Sequence, residues 1–287
     1  MPGAVDFLLS SQHQSGGWGY IPGQNPAVEP TSAALLALWS ESRALQACQR
    51  GLEWLFNIQN QDGGWGYGAG DDESNWNTAW ALIALTRMGV DNEMYLRGVE
   101  WLATVGTSSI AREQFQAASQ IPEQDVPDTL CWPWLPEEAA WIEPTALAVL
   151  ALNGITDFVA APLRISAALR YFRNNRCPAG GWDIGNFNPL DTIVLARSHP
   201  TALVILALSE LAVGEITSQD VEALRTDMRS DRGALAQAIG ALALRTLGEE
   251  YSESEARLAA LQREDSSWNR NVYHTSLALL ANRGGWR

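Results

Sequence analysis

The chain has 287 residues, 46% of them hydrophobic, and a net charge of −14 with a pI near 4.6. That is enough apolar material for a sizeable core, and it is too acidic for a nucleic-acid partner or for electrostatic docking on an anionic membrane. Cys48, Cys131 and Cys177 are odd in number and form no CxxC, which predicts reduced thiols in a cytosolic protein. The N-terminus lacks a charged-then-apolar leader, and no apolar run exceeds about ten residues, too short to span a bilayer.

One pattern recurs along the chain: an amphipathic helix, a loop with Trp, then an apolar helix opening near Thr. The first copy has an amphipathic helix over about 3–13, the loop Gly16-Gly17-Trp18-Gly19-Tyr20, and an apolar helix over 30–41. The second has a helix over 43–60, the loop Gly63-Gly64-Trp65-Gly66-Tyr67, and a helix over 75–88. The third has a helix over 92–104, a polar insertion from Gly106 to Cys131, then Trp132-Pro133-Trp134 and the helix at Thr145. The fourth runs from 158–174 through Gly180-Gly181-Trp182 to Thr201. The fifth is degenerate, with helices over 217–228 and 233–247 and only Arg232-Gly233 between them. The sixth has a helix over 252–263, Trp268, and a final helix from about 273.

Six residues beyond Thr31, Thr78, Thr145, Thr201, Gln237 and Thr275 stands an Ala in every copy: Ala37, Ala84, Ala151, Ala207, Ala243 and Ala281. A fixed internal period is the mark of a repeat architecture. The segments 31–38, 78–85, 145–152 and 201–208 carry no charge on any face, so those helices are buried all round, whereas their partners have one charged face. Six buried helices alternating with six half-exposed ones predict an all-α, closed (α/α)6 toroid. It is expected to be one domain over 1–287, in repeats of 1–41, 42–89, 90–154, 155–214, 215–248 and 249–287. The alternative is an open helical solenoid.

The Glu-Pro-Thr starts place Pro at the first helical turn, where its missing N–H is no loss. This predicts Glu29, Glu143 and His199 as N-caps, on one rim with Trp76, Leu235 and Tyr273. That rim is the expected mouth of a central cavity.

The amphipathic helix ending in Gln59 and followed by Gly63-Gly64-Trp65-Gly66 resembles the QW repeat of squalene–hopene and oxidosqualene cyclases. The resemblance covers essentially the whole chain and implies an α/α toroid that cyclises an isoprenoid by acid initiation, with no cofactor and no obligatory metal. Those cyclases carry their acid two residues before Thr-Ala. Glu143 of Glu143-Pro144-Thr145-Ala146 stands there, with Glu for Asp, Pro144 for the second Asp or Cys and Trp141 for the first Asp. Glu29 has the same local motif. The resemblance thus implies Glu143 and His199 as catalytic residues, and Glu29, Trp76, Trp80, Trp134, Trp141, Tyr273 and His274 as substrate-binding ones, the aromatic faces being suited to carbocations. Protein prenyltransferase β subunits share the toroid and a zinc-binding Tyr-His-Thr, matched by Tyr273-His274-Thr275. Arg197-Ser198-His199 stands where their Asp-X-Cys would be, and arginine cannot ligate a metal, so no metal site is expected.

Asp71-Asp72-Glu73 could hold Mg²⁺ and a diphosphate, or be a solvated acidic loop. Two functions remain open: an acid-initiated (class II) isoprenoid cyclase, or a non-catalytic toroid that binds a lipid, a peptide or a partner protein, with a membrane-peripheral contact possible.

Overall fold

A computed structural model describes residues 2–106, 130–156, 158–185 and 194–283. Most of the polar insertion (107–129) and part of the fourth loop (186–193) lie outside the described residues. Twelve α-helices occur among those described. They are α1 Pro2–Ser10, α2 Val28–Leu38, α3 Leu45–Asn57, α4 Asn77–Arg87, α5 Glu93–Thr104 and α6 Ile142–Leu152. After these come α7 Ala160–Asn174, α8 Ser198–Glu210, α9 Ser218–Ser230, α10 Ala234–Thr246, α11 Ser252–Leu261 and α12 Val272–Arg283. A 3-10 turn, Ser42–Ala44, leads into α3, and β-structure among the described residues is limited to one antiparallel bridge, Ala27 with Gly68.

The even-numbered helices form the inner ring, each packing on two inner neighbours, and α12 on α2 closes it. Each inner helix begins within three residues of its Thr or Gln, as the repeat predicts.

The ring is held by two sets of contacts. The first joins each loop to its inner helix. The Trp18 backbone N–H donates to Thr31 Oγ1 at 2.8 Å, and the Trp18 indole N–H donates to the Leu8 carbonyl at 2.7 Å. The same pair of bonds recurs at Trp65, Trp132, Trp182 and Trp268. Gln59 Nε2 ties Gly63 O to Met94 O of the next outer helix, at 2.7 Å each. Gly63 (φ 98°) has no room for a Cβ, which would lie 2.7 Å from Arg97 O.

The second set runs round the rim. The first N–H groups of a helix have no partner inside it. Val28 N donates to Tyr67 O, Trp76 N to Trp134 O, Ile142 N to Ile184 O and Val272 N to Tyr20 O. Each link ties one inner helix start to a loop of the adjacent repeat, and the last one joins the sixth repeat to the first. In the fourth, Ser198 N donates instead to Asp227 Oδ2 at 2.6 Å.

One expectation is corrected here. Glu29, Glu143 and His199 are not N-caps but second helical residues. The caps are Ala27, Trp141 and Arg197, whose extended backbones precede the helix. Pro30, Pro144 and Pro200 therefore occupy the third position. The N–H there is still one of the unpaired first four, so proline is tolerated at that depth too.

Candidate functional site

Because the rim residues lie inside the first turn, their side chains converge over the ring's axis. His199 Nδ1 lies 3.0 Å from Glu143 Oε1, on adjacent helices α8 and α6, with the side chains 24% and 16% exposed. His199 Nε2 lies 3.4 Å from Tyr273 Oη on α12. Tyr273 also faces Glu29 on α2, and Tyr20 Oη donates a short bond to Glu29 Oε2. Four inner helices and one loop thus contribute to a connected series: Glu143, His199, Tyr273, Glu29, Tyr20.

The electrostatics follow from the geometry. Burial lifts the Glu29 pKa above the ordinary carboxyl value and the charge of Glu143 adds to this, while Tyr20, His199 and Tyr273 oppose without cancelling it. Burial pulls His199 down, but the hydrogen bond and charge of Glu143, with the charge of Glu29, leave it raised overall. Tyr20 and Tyr273 are both pushed well up, by burial first and the carboxylates second, so both phenols stay protonated. His274 is lowered by burial and by the charge of His199, and its Nδ1 sits 3.1 Å from Asn269 Nδ2.

The aromatic residues separate by depth. Tyr20 stacks on the exposed Tyr67 (centroids 6.4 Å, 25°) and meets Tyr273 edge-on at 6.5 Å. Trp76 and Trp134 pack edge-to-face at 4.9 Å in the seam between the second and third repeats. There they border a crevice of about 10 Å³ with Trp101 and Pro144, room for one water at most. Trp141 caps α6 and is half-buried.

Trp80, expected to line the cavity at the rim, has 0% exposure and lies one turn below it. Its ring meets Tyr273 edge-on at 5.6 Å, across a ring in which α4 and α12 are separated by α2. The residues four beyond the rim positions share their helix faces. They are Ala33, Trp80, Leu147, Leu203, Ile239 and Leu277, each 0–1% exposed. Side chains without accessible surface border no space that water can enter, so the bore is packed directly beneath the polar cluster. This corrects the expectation of an open central cavity at that depth.

Tyr20 and Tyr67 were not among the residues singled out from sequence. Their signal is positional: each stands two residues after a loop Trp, the place whose carbonyl makes the rim link and whose side chain turns to the mouth. Asp71 accepts from the backbone N–H groups of Tyr67 and Glu73, closing its own loop. Among the described residues no three His, Cys, Asp or Glu side chains converge as a metal site, all three cysteines are buried and in no disulfide, and no helix is long and apolar enough to cross a membrane.

Residues 1–126 match the family model of the squalene–hopene cyclase C-terminal domain. That stretch is squalene–hopene cyclase-like, and the chain has the α/α-toroid fold. Solved structures agree on the fold. A protein from Actinoplanes superimposes with a TM-score of 0.67 at 18% identity, covering 99% of this chain and 97% of that one. A variant of the type II terpene cyclase MstE from Scytonema, in complex with its substrate geranylgeranyl dihydroxybenzoate, gives 0.64 at 16% identity over 97% and 94%. An alpha-amylase from Clostridium perfringens gives 0.65 at 12% identity over 98% and 97%. No curated protein matches the chain by sequence. At such identities the likeness is one of fold, and a fold shared by a cyclase and an amylase leaves function to the site.

Proposed function

We propose that the chain is a single toroidal domain, terpene cyclase-like in chemistry as well as fold, that delivers a proton to an isoprenoid at the mouth of its inner ring. The observation that carries this reading is the convergence of two carboxyls, one imidazole and two phenols over the axis, with Glu143 and His199 on consecutive inner helices 3.0 Å apart. That pairing stands where the resemblance puts the initiating acid of class II cyclases. General acid catalysis needs a proton held near its pKa in a partly dry site, and Glu29, His199, Tyr20 and Tyr273 are shifted by burial and by their neighbours. Trp76, Trp134, Trp141, Tyr20 and Tyr67 supply the aromatic rim, and neither metal nor redox cofactor is required for proton-initiated cyclisation.

One observation favours the second reading, a non-catalytic toroid that binds an apolar ligand or a partner: the bore below the cluster is packed. A product-trapping experiment separates the two. The purified protein is incubated with linear C10 to C20 isoprenoids of differing head groups, and extracts are searched for cyclic isomers, with tryptophan fluorescence recorded in parallel. Cyclic products that vanish in Glu143→Gln support the cyclase. Saturable quenching without turnover supports the binder. Neither signal with any isoprenoid sinks the isoprenoid reading altogether.

A further inference from the structure

The two carboxyls at the mouth are not equivalent. Glu143 has a cation: His199 Nδ1 lies 3.0 Å from its Oε1. Glu29 has no Arg or His within ion-pair distance among the described residues, and its partners are hydroxyls, Tyr20 from the first loop and Tyr273 from α12. The imidazole that could neutralise either carboxylate is committed by geometry to Glu143. A buried carboxylate without a cation is expensive, and the cheaper state is the neutral acid.

Resting on the acid-initiated reading above, we propose that Glu29 is the carboxyl that holds the transferable proton, and that His199 and Tyr273 form the route by which that proton is restored. Glu143 is then a positioning residue, which holds His199 as the imidazolium. The proton balance is as follows. The Glu29 O–H bond breaks and the proton adds to the less substituted carbon of a trisubstituted alkene. The π pair forms the new C–H bond, leaving a tertiary cation and a Glu29 carboxylate. Tyr273 passes its hydroxyl proton to Glu29 and takes the Nε2 proton of His199, which regains one from water. The cyclised cation returns a proton to water as its final alkene forms, so none is consumed overall.

The groups facing Glu29 are Tyr20, whose other face stacks on Tyr67, together with Glu143 from α6, His199 from α8, and Tyr273 from α12 with His274 beyond it. Burial and the Glu143 charge raise the Glu29 pKa, and the Tyr20 hydrogen bond lowers it. Loss of the Tyr20 hydroxyl is therefore expected to raise it further. The experiment is carboxyl ¹³C NMR of the full chain labelled at glutamate Cδ, titrated with pH in wild type, Glu29→Gln, Glu143→Gln and Tyr20→Phe. One resonance should titrate above the usual carboxylate range. It should be absent in Glu29→Gln, persist in Glu143→Gln and move to higher pH in Tyr20→Phe.

A high-titrating resonance that survives in Glu29→Gln and disappears in Glu143→Gln overturns the assignment, as does the lack of any such resonance in wild type. Turnover supplies a separate arm. If an isoprenoid is cyclised, Glu29→Gln should lower kcat by at least about 100-fold, and unchanged kcat overturns the proposal. If the resonance behaves as stated and no isoprenoid is turned over, the proton assignment holds and the cyclase reading fails.

Discussion

The seam between repeats and the mouth of the ring use the same helices in opposite ways. In the seam every repeat but the fifth places a loop Trp backbone N–H on a Thr hydroxyl and its indole N–H on an outer-helix carbonyl, although 13, 13, 13, 19 and 7 residues separate the two partners along the chain. At the mouth, three residues before the helix's Ala-or-Ser position that follows Thr, the copies hold Glu29, Trp76, Glu143, His199, Leu235 and Tyr273. Repetition fixes the ring, and the positions where repetition fails carry its chemistry. Even a lost seam residue is replaced in kind. The third repeat has Gly106 where the first, second and sixth have Gln12, Gln59 and Gln262, and Arg164 of α7 fills in. It stacks on Trp132 at 3.9 Å and donates to the carbonyls of Leu130, Val105 and Leu102 at 2.8, 2.8 and 3.1 Å. Burial lowers its pKa to about 9, so it remains a cation at neutral pH without a carboxylate partner among the described residues.

The contrast is open to direct attack. The strongest blow falls on the seam: Trp65→Ala should remove about 3–5 kcal/mol of stability, read as a drop in the urea midpoint, because it empties a fully buried site and strips the indole donor from the Leu55 carbonyl. Arg164→Met should cost roughly 3 kcal/mol, since it keeps the stem and strips the donors from three buried carbonyls. Thr78→Val keeps the shape and loses the bonds to Trp65 N and O, for about 1–2 kcal/mol. A mouth variant such as Glu143→Gln should cost about 1 kcal/mol or less in the same assay, even where it abolishes turnover. If it unfolds the protein, the division between seam and mouth is wrong.

The smallest effect is the pH dependence of stability. His199 binds its proton more tightly folded than unfolded, so its contribution is whole below its ordinary 6.5 and is lost as pH rises through its raised pKa. Glu29, also raised, acts in the same direction, because the fold penalises its carboxylate as pH climbs above the ordinary 4.5. Melting temperature should therefore begin to decline above about pH 4.5 through Glu29 and decline further above about pH 6.5 through His199, by an amount worth about 1 kcal/mol. The decline should flatten in Glu143→Gln, which loses the partner that raises His199. A flat wild-type profile would contradict the pairing.

Much of the fold was legible in the chain, because helix burial is a local property. Uncharged stretches such as 145–152 have no face fit for water, and the Thr-to-Ala spacing reports a helix period that needs no tertiary information. Proline placed the helix starts to within a turn, but not to the residue, since any of the first few positions tolerates it. The candidate site was legible only as a set of rim positions. Glu143 and His199 were found because they lie on consecutive copies of one motif. Tyr20 was missed because its role comes from a loop that reaches the mouth of its own repeat, and Trp80 was set too high because i+4 on a helix is one turn deeper.

What lies opposite what across a ring depends on six packing steps between helices, each with its own small rotation, and no residue pattern encodes their sum. Only the closed structure brings Trp80 to Tyr273, commits His199 to Glu143 instead of Glu29, and shows the bore beneath them filled. The sequence by itself determined twelve helices and their two kinds; the tertiary structure decided which of their polar ends meet, because that is set by closure.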